Sequence, residues 1–219
     1  MTAPPSSVGE GGATVAGIVL AGGASRRMGT PKAGLVHEGR TFLARVVGTL
    51  RDGGVTDVLV VSGHAHDDVL AALPHGDPAR VLRNPDPDRG QLSSLKVALA
   101  ELCARAARPD AALVALVDHP AVAPATVAHL VAAWCSARAD TAAARVAIVV
   151  PTHDGRRGHP VLFAASVWDE LLATPDEHGA RAVVRADRAR VLDVPVADPG
   201  VRVDVDTPEE FRRLSSGAG

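Results

Sequence analysis

Gly22 and Gly23, followed closely by Arg26, Arg27 and Lys32, are the densest group of chemically capable residues in this 219-residue chain. The stretch from residue 20 reads Leu-Ala-Gly-Gly-Ala-Ser-Arg-Arg-Met-Gly-Thr-Pro-Lys, after the apolar run Val15 to Leu20. Glycine has no Cβ, so backbone N–H groups there can come close to a ligand. Cations just beyond such a turn suit a polyphosphate. A second candidate is Asp118, which follows the apolar run Ala111 to Val117 and precedes His119-Pro120. A carboxylate at a strand end, facing a triphosphate, is where Mg²⁺ is wanted; that ion takes one or two protein carboxylates and completes its shell with water and phosphate oxygens. The chemistry this set supports is nucleotidyl transfer. A phosphate oxygen of an acceptor attacks the α-phosphorus of a nucleoside triphosphate, and pyrophosphate leaves. The protein's work is positioning and charge stabilisation. Lys32 and Arg27 are the catalytic candidates, placed to neutralise charge on the β- and γ-phosphates; Arg26 is expected to point to solvent.

Other residues compete with plainer roles. Asp204 and Asp206 lie two apart on an expected strand, which puts both on one face; a surface pair is the plain alternative. Ser93 and Ser94 open a helix, where they could bind ribose or an acceptor phosphate, or simply cap. Asn84 ends a strand and could read base or sugar, or serve the turn before Pro85. His64, His66, Asp67 and Asp68 read as a solvated face. His119 could meet a metal's water shell, and His159 could touch the acceptor. The glycine loop is neither G-x-x-x-x-G-K-[ST], because Lys32 is followed by Ala33, nor G-x-G-x-x-G. That disfavours a P-loop and a dinucleotide-dependent dehydrogenase.

The elements that must position these groups alternate. Strands are expected at 15–21, 55–62, 80–83, 111–117 and 146–150. Helices are expected at 41–52, 66–73, 91–106 and 124–137. That rhythm gives a doubly wound, three-layer α/β/α sheet, Rossmann-like, with ligands beyond the carboxyl ends of the strands. After Pro151 the pattern changes: strands at 161–163, 191–196 and 201–205, helices at 166–173 and 179–187, and a capping box Thr207-Pro208-Glu209-Glu210 opening a last helix. The whole reads as one domain over 14–214, with a disordered extension at 1–13 and a flexible tail at 215–219.

Composition bounds the function. Apolar residues make up 47% and the formal net charge is −2, so there is a full core and no basic field for nucleic acid. Three Phe, two Trp and no Tyr argue against base-stacking single-strand binding. No apolar run approaches the ~20 residues of a membrane span. Cys103 and Cys135 fall on apolar stripes and read as buried thiols in a reducing, cytoplasmic setting.

Residues 20–32 resemble the L-A-G-G-x-S-x-R-M-G-x-P-K signature of the MobA-like NTP transferases, which include the molybdenum-cofactor guanylyltransferases and cytidylyltransferases. Leu116-Val117-Asp118-His119-Pro120 is similar to the family's aspartate-x-proline motif. Gly90 to Leu95, Gly158-His159-Pro160-Val161-Leu162 and Asp204 to Glu209 resemble cytidylyl-branch motifs, in order along roughly residues 15–214. The double glycine resembles the guanylyl branch, so CTP and GTP both stay open. The resemblance implies a glycosyltransferase-A-like nucleotide-diphospho transferase fold with a mostly parallel mixed sheet. It implies that Leu20, Ala21 and Gly22 line the nucleotide; the backbone N–H groups around Ala21 to Gly23 are expected to face its base, sugar or phosphates, with Mg²⁺ as cofactor. It implies a polar residue of the 204–206 segment near the metal beside Asp118, for which Asp206 is favoured over Asp204. It also implies molybdopterin as the phosphorylated acceptor and transient contact with a molybdoenzyme. A sugar or alditol phosphate acceptor, or a non-catalytic nucleotide-binding accessory to a molybdoenzyme, are the alternatives.

Overall fold

A computed structural model describes residues 12–23, 28–140 and 145–216. Among these residues the chain builds an eight-stranded mixed sheet flanked by helices. The first strand, β1 (Val15–Ala21), is buried along almost its whole length. The helix α1 (Phe42–Asp52) begins at Thr41, whose side chain accepts from the Ala44 N–H, and buries Phe42, Leu43, Val46, Val47 and Leu50. Then come β2 (Val58–Ser62), α2 (His66–Ala72), β3 (Arg80–Arg83), α3 (Gln91–Cys103), β4 (Ala111–Leu116) and α4 (Pro124–Ala139). The later part supplies β5 (Ile148–His153), β6 (Val161–Ala164), α5 (Trp168–Ala173), α6 (Arg181–Ala186), β7 (Val191–Pro195) and α7 (Pro208–Ser215).

The spatial order is β7-β5-β6-β4-β1-β2-β3, with the short strand Arg156–Arg157 paired to β5. β1 pairs in parallel with β2 and with β4, and β2 with β3. β6 runs antiparallel between β4 and β5. The strand order reverses at β1, so the crevice beyond the carboxyl ends of β1 and β4 is the place for a ligand. Strands β1, β2 and β4 are continuous apolar runs because both their faces are covered. Two helix pairs cover them, α1 with α4 and α3 with α5. Among the described residues no helix is long and apolar enough to cross a membrane.

Several expectations are corrected. Residues 201–205 do not form a strand. Pro199–Arg202 is a 3-10 turn capped by Asp198, whose carboxylate accepts from the Gly200 N–H at 2.8 Å, and the chain then runs irregularly to α7. The alternating valines mimic a strand, but Val201 and Val205 reach the core from a segment outside the ladder. Val55 is buried, yet β2 starts only at Val58, because Gly53 and Gly54 form a turn with Gly54 at φ +94°. Cys103 and Cys135 are half-buried rather than fully buried, and they are not paired in a disulfide.

Candidate active site

The register of the central strands assembles the site. Leu20 lies opposite Leu116, so the chain leaves β1 through Ala21-Gly22 beside the chain leaving β4 through Val117-Asp118. The Val117 N–H donates to the Leu20 carbonyl at 3.2 Å and carries that pairing past the end of β4. Gly22 rests on the first turn of α3, where a Cβ would lie 3.0 Å from Ser94 Oγ. Gly63, at the end of β2, comes closer still: its Cβ would meet the Gly22 carbonyl oxygen at 2.4 Å. Only a residue without a Cβ allows those two loops to touch.

Lys32 starts a 3-10 turn (Lys32–Gly34) that is anchored by buried Ala33. Its ammonium reaches back into the crevice. Lys32 Nζ lies 3.0 Å from Asp118 Oδ2 and also donates to Asp206 Oδ1. The Val205 N–H donates to the Asp118 carbonyl at 2.9 Å, which clamps the 204–206 segment against the end of β4. Asp206 therefore faces Lys32, whereas Asp204 is exposed. The other oxygen of Asp118, Oδ1, lies 3.0 Å from His119 Nδ1. An ionised carboxylate only accepts, so the imidazole donates there.

Burial alone would raise the Asp118 carboxyl, but the His119 hydrogen bond and the Lys32 charge outweigh it and bring it down to about 2. Burial likewise opposes the Lys32 ammonium, yet Asp206 and Asp118 together hold it above its usual value. Both groups are charged at neutral pH.

These residues line a cavity of about 350 Å³ together with Leu20, Ala21, Gly22, Gly23 and Ser94. Lys32, Asp118 and Asp206, widely separated in the chain, thus share one cavity with the glycine loop. Asn84 and Ser93 do not line it. Asn84 is buried and donates to Ser93 Oγ at 2.8 Å and to Ser94 Oγ at 3.0 Å, so the two build the wall that presents Ser94. Arg26 and Arg27 lie outside the described residues. His64, expected on a solvated face, lines the cavity instead, and so do Asp88 and Gln91, which were not singled out from the sequence. His64 pairs with Asp88 at 3.1 Å, across the loops that follow β2 and β3. Their place just beyond strand carboxyl ends was the available signal.

A second cavity of about 660 Å³ adjoins the first, sharing Leu20, Gly90, Gln91 and Leu116 with it. Its floor includes Leu95, Val114, Val161 and Phe163, and Arg157, Arg181 and Arg185 lie along its walls. His159 lines it as well, with its imidazole lowered to about 4 by burial and by the charge of His119. The rings of His119 and His159 meet edge to face at 5.2 Å. The His159 N–H donates to the Val201 carbonyl at 2.8 Å, and a Cβ on Gly158 would overlap that oxygen at 2.1 Å.

The two side-chain carboxylates that converge on one ammonium offer hard oxygen donors at a point where positive charge is already favoured. That donor set fits a hard divalent cation held by one or two carboxylates.

Residues 17–191 match the family model of the MobA-like NTP transferase domain. The chain is 32% identical over 202 residues to the nicotine blue oxidoreductase of Paenarthrobacter nicotinovorans, which covers 91% of this chain and 96% of that protein. It is 25% identical over 195 residues to the molybdenum cofactor cytidylyltransferase of Escherichia coli K12, covering 89% and 92%. The crystal structure of Rv0371c from Mycobacterium tuberculosis H37Rv superposes with a TM-score of 0.79 at 31% identity over 93% of this chain and 98% of that one. The same protein in complex with manganese gives a TM-score of 0.74 at 28% identity, covering 94% and 100%.

Proposed function

This chain is an enzyme that belongs to the MobA-like NTP transferase family, and on that premise we propose that it transfers a nucleoside monophosphate from CTP or GTP to a phosphorylated acceptor, with molybdopterin as the favoured acceptor and Mg²⁺ as the cofactor. The observation that carries this reading is the meeting of Lys32, Asp118 and Asp206 beside the Gly22-Gly23 loop in one cavity. The triphosphate lies in that cavity, against backbone N–H groups from Ala21 to Gly23. Asp118 and Asp206 would hold the divalent cation, which when bound supplies charge neutralisation to the phosphates. Lys32 stabilises the charge that grows on the departing pyrophosphate. Arg27, from the same loop, is proposed as its companion. The acceptor occupies the adjoining cavity, with its flat body on the apolar floor and its phosphate directed across Leu20 and Leu116 toward the α-phosphorus. In-line positioning of the two reactants supplies much of the rate. The protein acts in the cytoplasm as one domain over residues 14–214, and hands its product on by transient contact with a molybdoenzyme.

A second reading has one observation in its favour, the full-length likeness to a protein named as an oxidoreductase. In that reading the same cavities hold an electron donor and an oxidised pigment.

The test is a thermal-shift panel of CTP, GTP, ATP and UTP with Mg²⁺ or Mn²⁺, followed by pyrophosphate release with molybdopterin. The triphosphate that binds the native state raises the melting temperature by mass action and names the base. Pyrophosphate release with one triphosphate and molybdopterin is the expected result. No release with any triphosphate, together with reductive bleaching of nicotine blue by an added electron donor, would replace this reading with the second.

A further inference from the structure

We propose that Lys32 and the divalent cation compete for one place, so that Lys32 weakens metal binding in the nucleotide-free protein and the triphosphate strengthens it by drawing Lys32 away. The inference rests on the reading above that Asp118 and Asp206 are the metal pair. Lys32 Nζ lies between those two carboxylates, 3.0 Å from Asp118 Oδ2 and in hydrogen-bond contact with Asp206 Oδ1. Its side chain is 12% exposed, so the ammonium is seated in the crevice rather than resting on its rim. Because His119 occupies Oδ1 of Asp118, the oxygen turned toward a cation is the one that Lys32 holds.

A divalent cation binds carboxylate oxygen at about 2 Å for Mg²⁺ and slightly farther for larger ions. An ammonium that contacts the same two oxygens would then lie against the ion, like charge on like charge, in a partly desolvated site. The two cannot be bound together there. Lys32 leaves more readily when another anion receives it, and the triphosphate expected in this cavity is that anion. The exchange puts a divalent charge opposite the two carboxylates, moves the ammonium onto the triphosphate, and makes metal and nucleotide binding mutually favourable. Such coupling is reciprocal and usually changes affinity by 5- to 150-fold.

Lys32 and Lys96 are the two lysines of the chain. Lys96 is paired with Asp176 at 2.8 Å, does not line the cavity that holds these carboxylates, and serves as an internal control. Two measurements test the exchange. In the first, the wild-type protein without nucleotide is treated with a limiting amine-reactive acylating reagent, with and without saturating Mg²⁺, and both lysines are quantified by mass spectrometry. Lys32 should become several-fold more reactive with Mg²⁺ while Lys96 stays constant; an unchanged Lys32 overturns the proposal. In the second, Mn²⁺ alone is titrated into nucleotide-free wild type, Lys32→Ala and Lys32→Met, with bound ion read from loss of the free Mn²⁺ resonance. Both variants should bind Mn²⁺ about 10-fold or more tightly than wild type. Equal or weaker binding by folded variants overturns it. Neither readout depends on turnover, so the two readings fail separately. Exchange without any pyrophosphate release would sink the proposed activity alone, and transfer activity without exchange would sink only this inference.

Discussion

Lys32 carries opposite expectations for binding and for rate. Lys32→Ala should lower turnover by ~10²-fold or more at saturating triphosphate, the usual cost of removing a preorganised charge from developing negative charge. Pyrophosphate release measures this, and an unchanged kcat removes Lys32 from the reaction. The same variant should gain metal affinity without nucleotide, a combination that general loss of structure does not produce. Asp118→Asn should shift the Mg²⁺ dependence of the rate to higher metal while leaving the melting transition cooperative; an unaltered Mg²⁺ titration discards Asp118 as a ligand. His159 gives a pH prediction. Its imidazole falls from the usual 6.5 to about 4 in the folded protein. The unfolded chain therefore binds more protons in that window, and stability is present above pH 6.5 and lost as pH falls toward 4. Integrated over the shift, this amounts to about 3 kcal/mol. His159→Asn should flatten the decline, as read from urea midpoints at both ends of the window. An equally steep loss in the variant would place the acid sensitivity elsewhere.

At the scale of elements, three close backbone approaches set the geometry of the crevice. Gly63 lies on Gly22, Gly158 on Val201 and Gly200 on Ala121. In each case an added Cβ would strike a backbone carbonyl oxygen that cannot move alone. Gly63→Ala should cost about 1–3 kcal/mol, the usual range for overpacking, and weaken the nucleotide-dependent thermal shift by parting the loops after β1 and β2. Gly34→Ala is the control, with open space around its Cβ, and should stay within about 0.5 kcal/mol of wild type. Equal losses from both would mean that the close approach is not what matters. The strands and helices of the first part were legible because continuous apolar runs and helical apolar periods near four are local properties. The 199–206 segment was not. Asp198 accepts from the Gly200 N–H and also from the Ala123 N–H at 2.9 Å and Thr126 Oγ1 at 2.7 Å, so it caps α4 from far along the chain. Such a cap has no neighbour-to-neighbour signature.

At the scale of the whole molecule, both cavities are lined by residues at the carboxyl ends of the central strands β1 and β4, Leu20 and Leu116, in a single sheet. Trp134 on α4 and Trp168 on α5 are fully buried in different helix pairs. If the chain is one domain, fluorescence from either tryptophan, with the other replaced by Phe, should give coincident denaturant midpoints. Two separated midpoints would divide the domain. The sequence by itself determined the alternating elements, the glycine turn after β1 and the candidate charges, because each is written in residues close together in the chain. Only the tertiary structure decided which charges meet. Lys32 finds partners 86 and 174 residues away. Asp206 rather than Asp204 faces it because a backbone hydrogen bond from Val205 to Asp118 fixes the rotation of that segment. Asn84 and Ser93 became wall rather than lining because they satisfied each other. Pairings between distant segments are settled by how packed elements dock, and spacing along a chain carries no record of that distance.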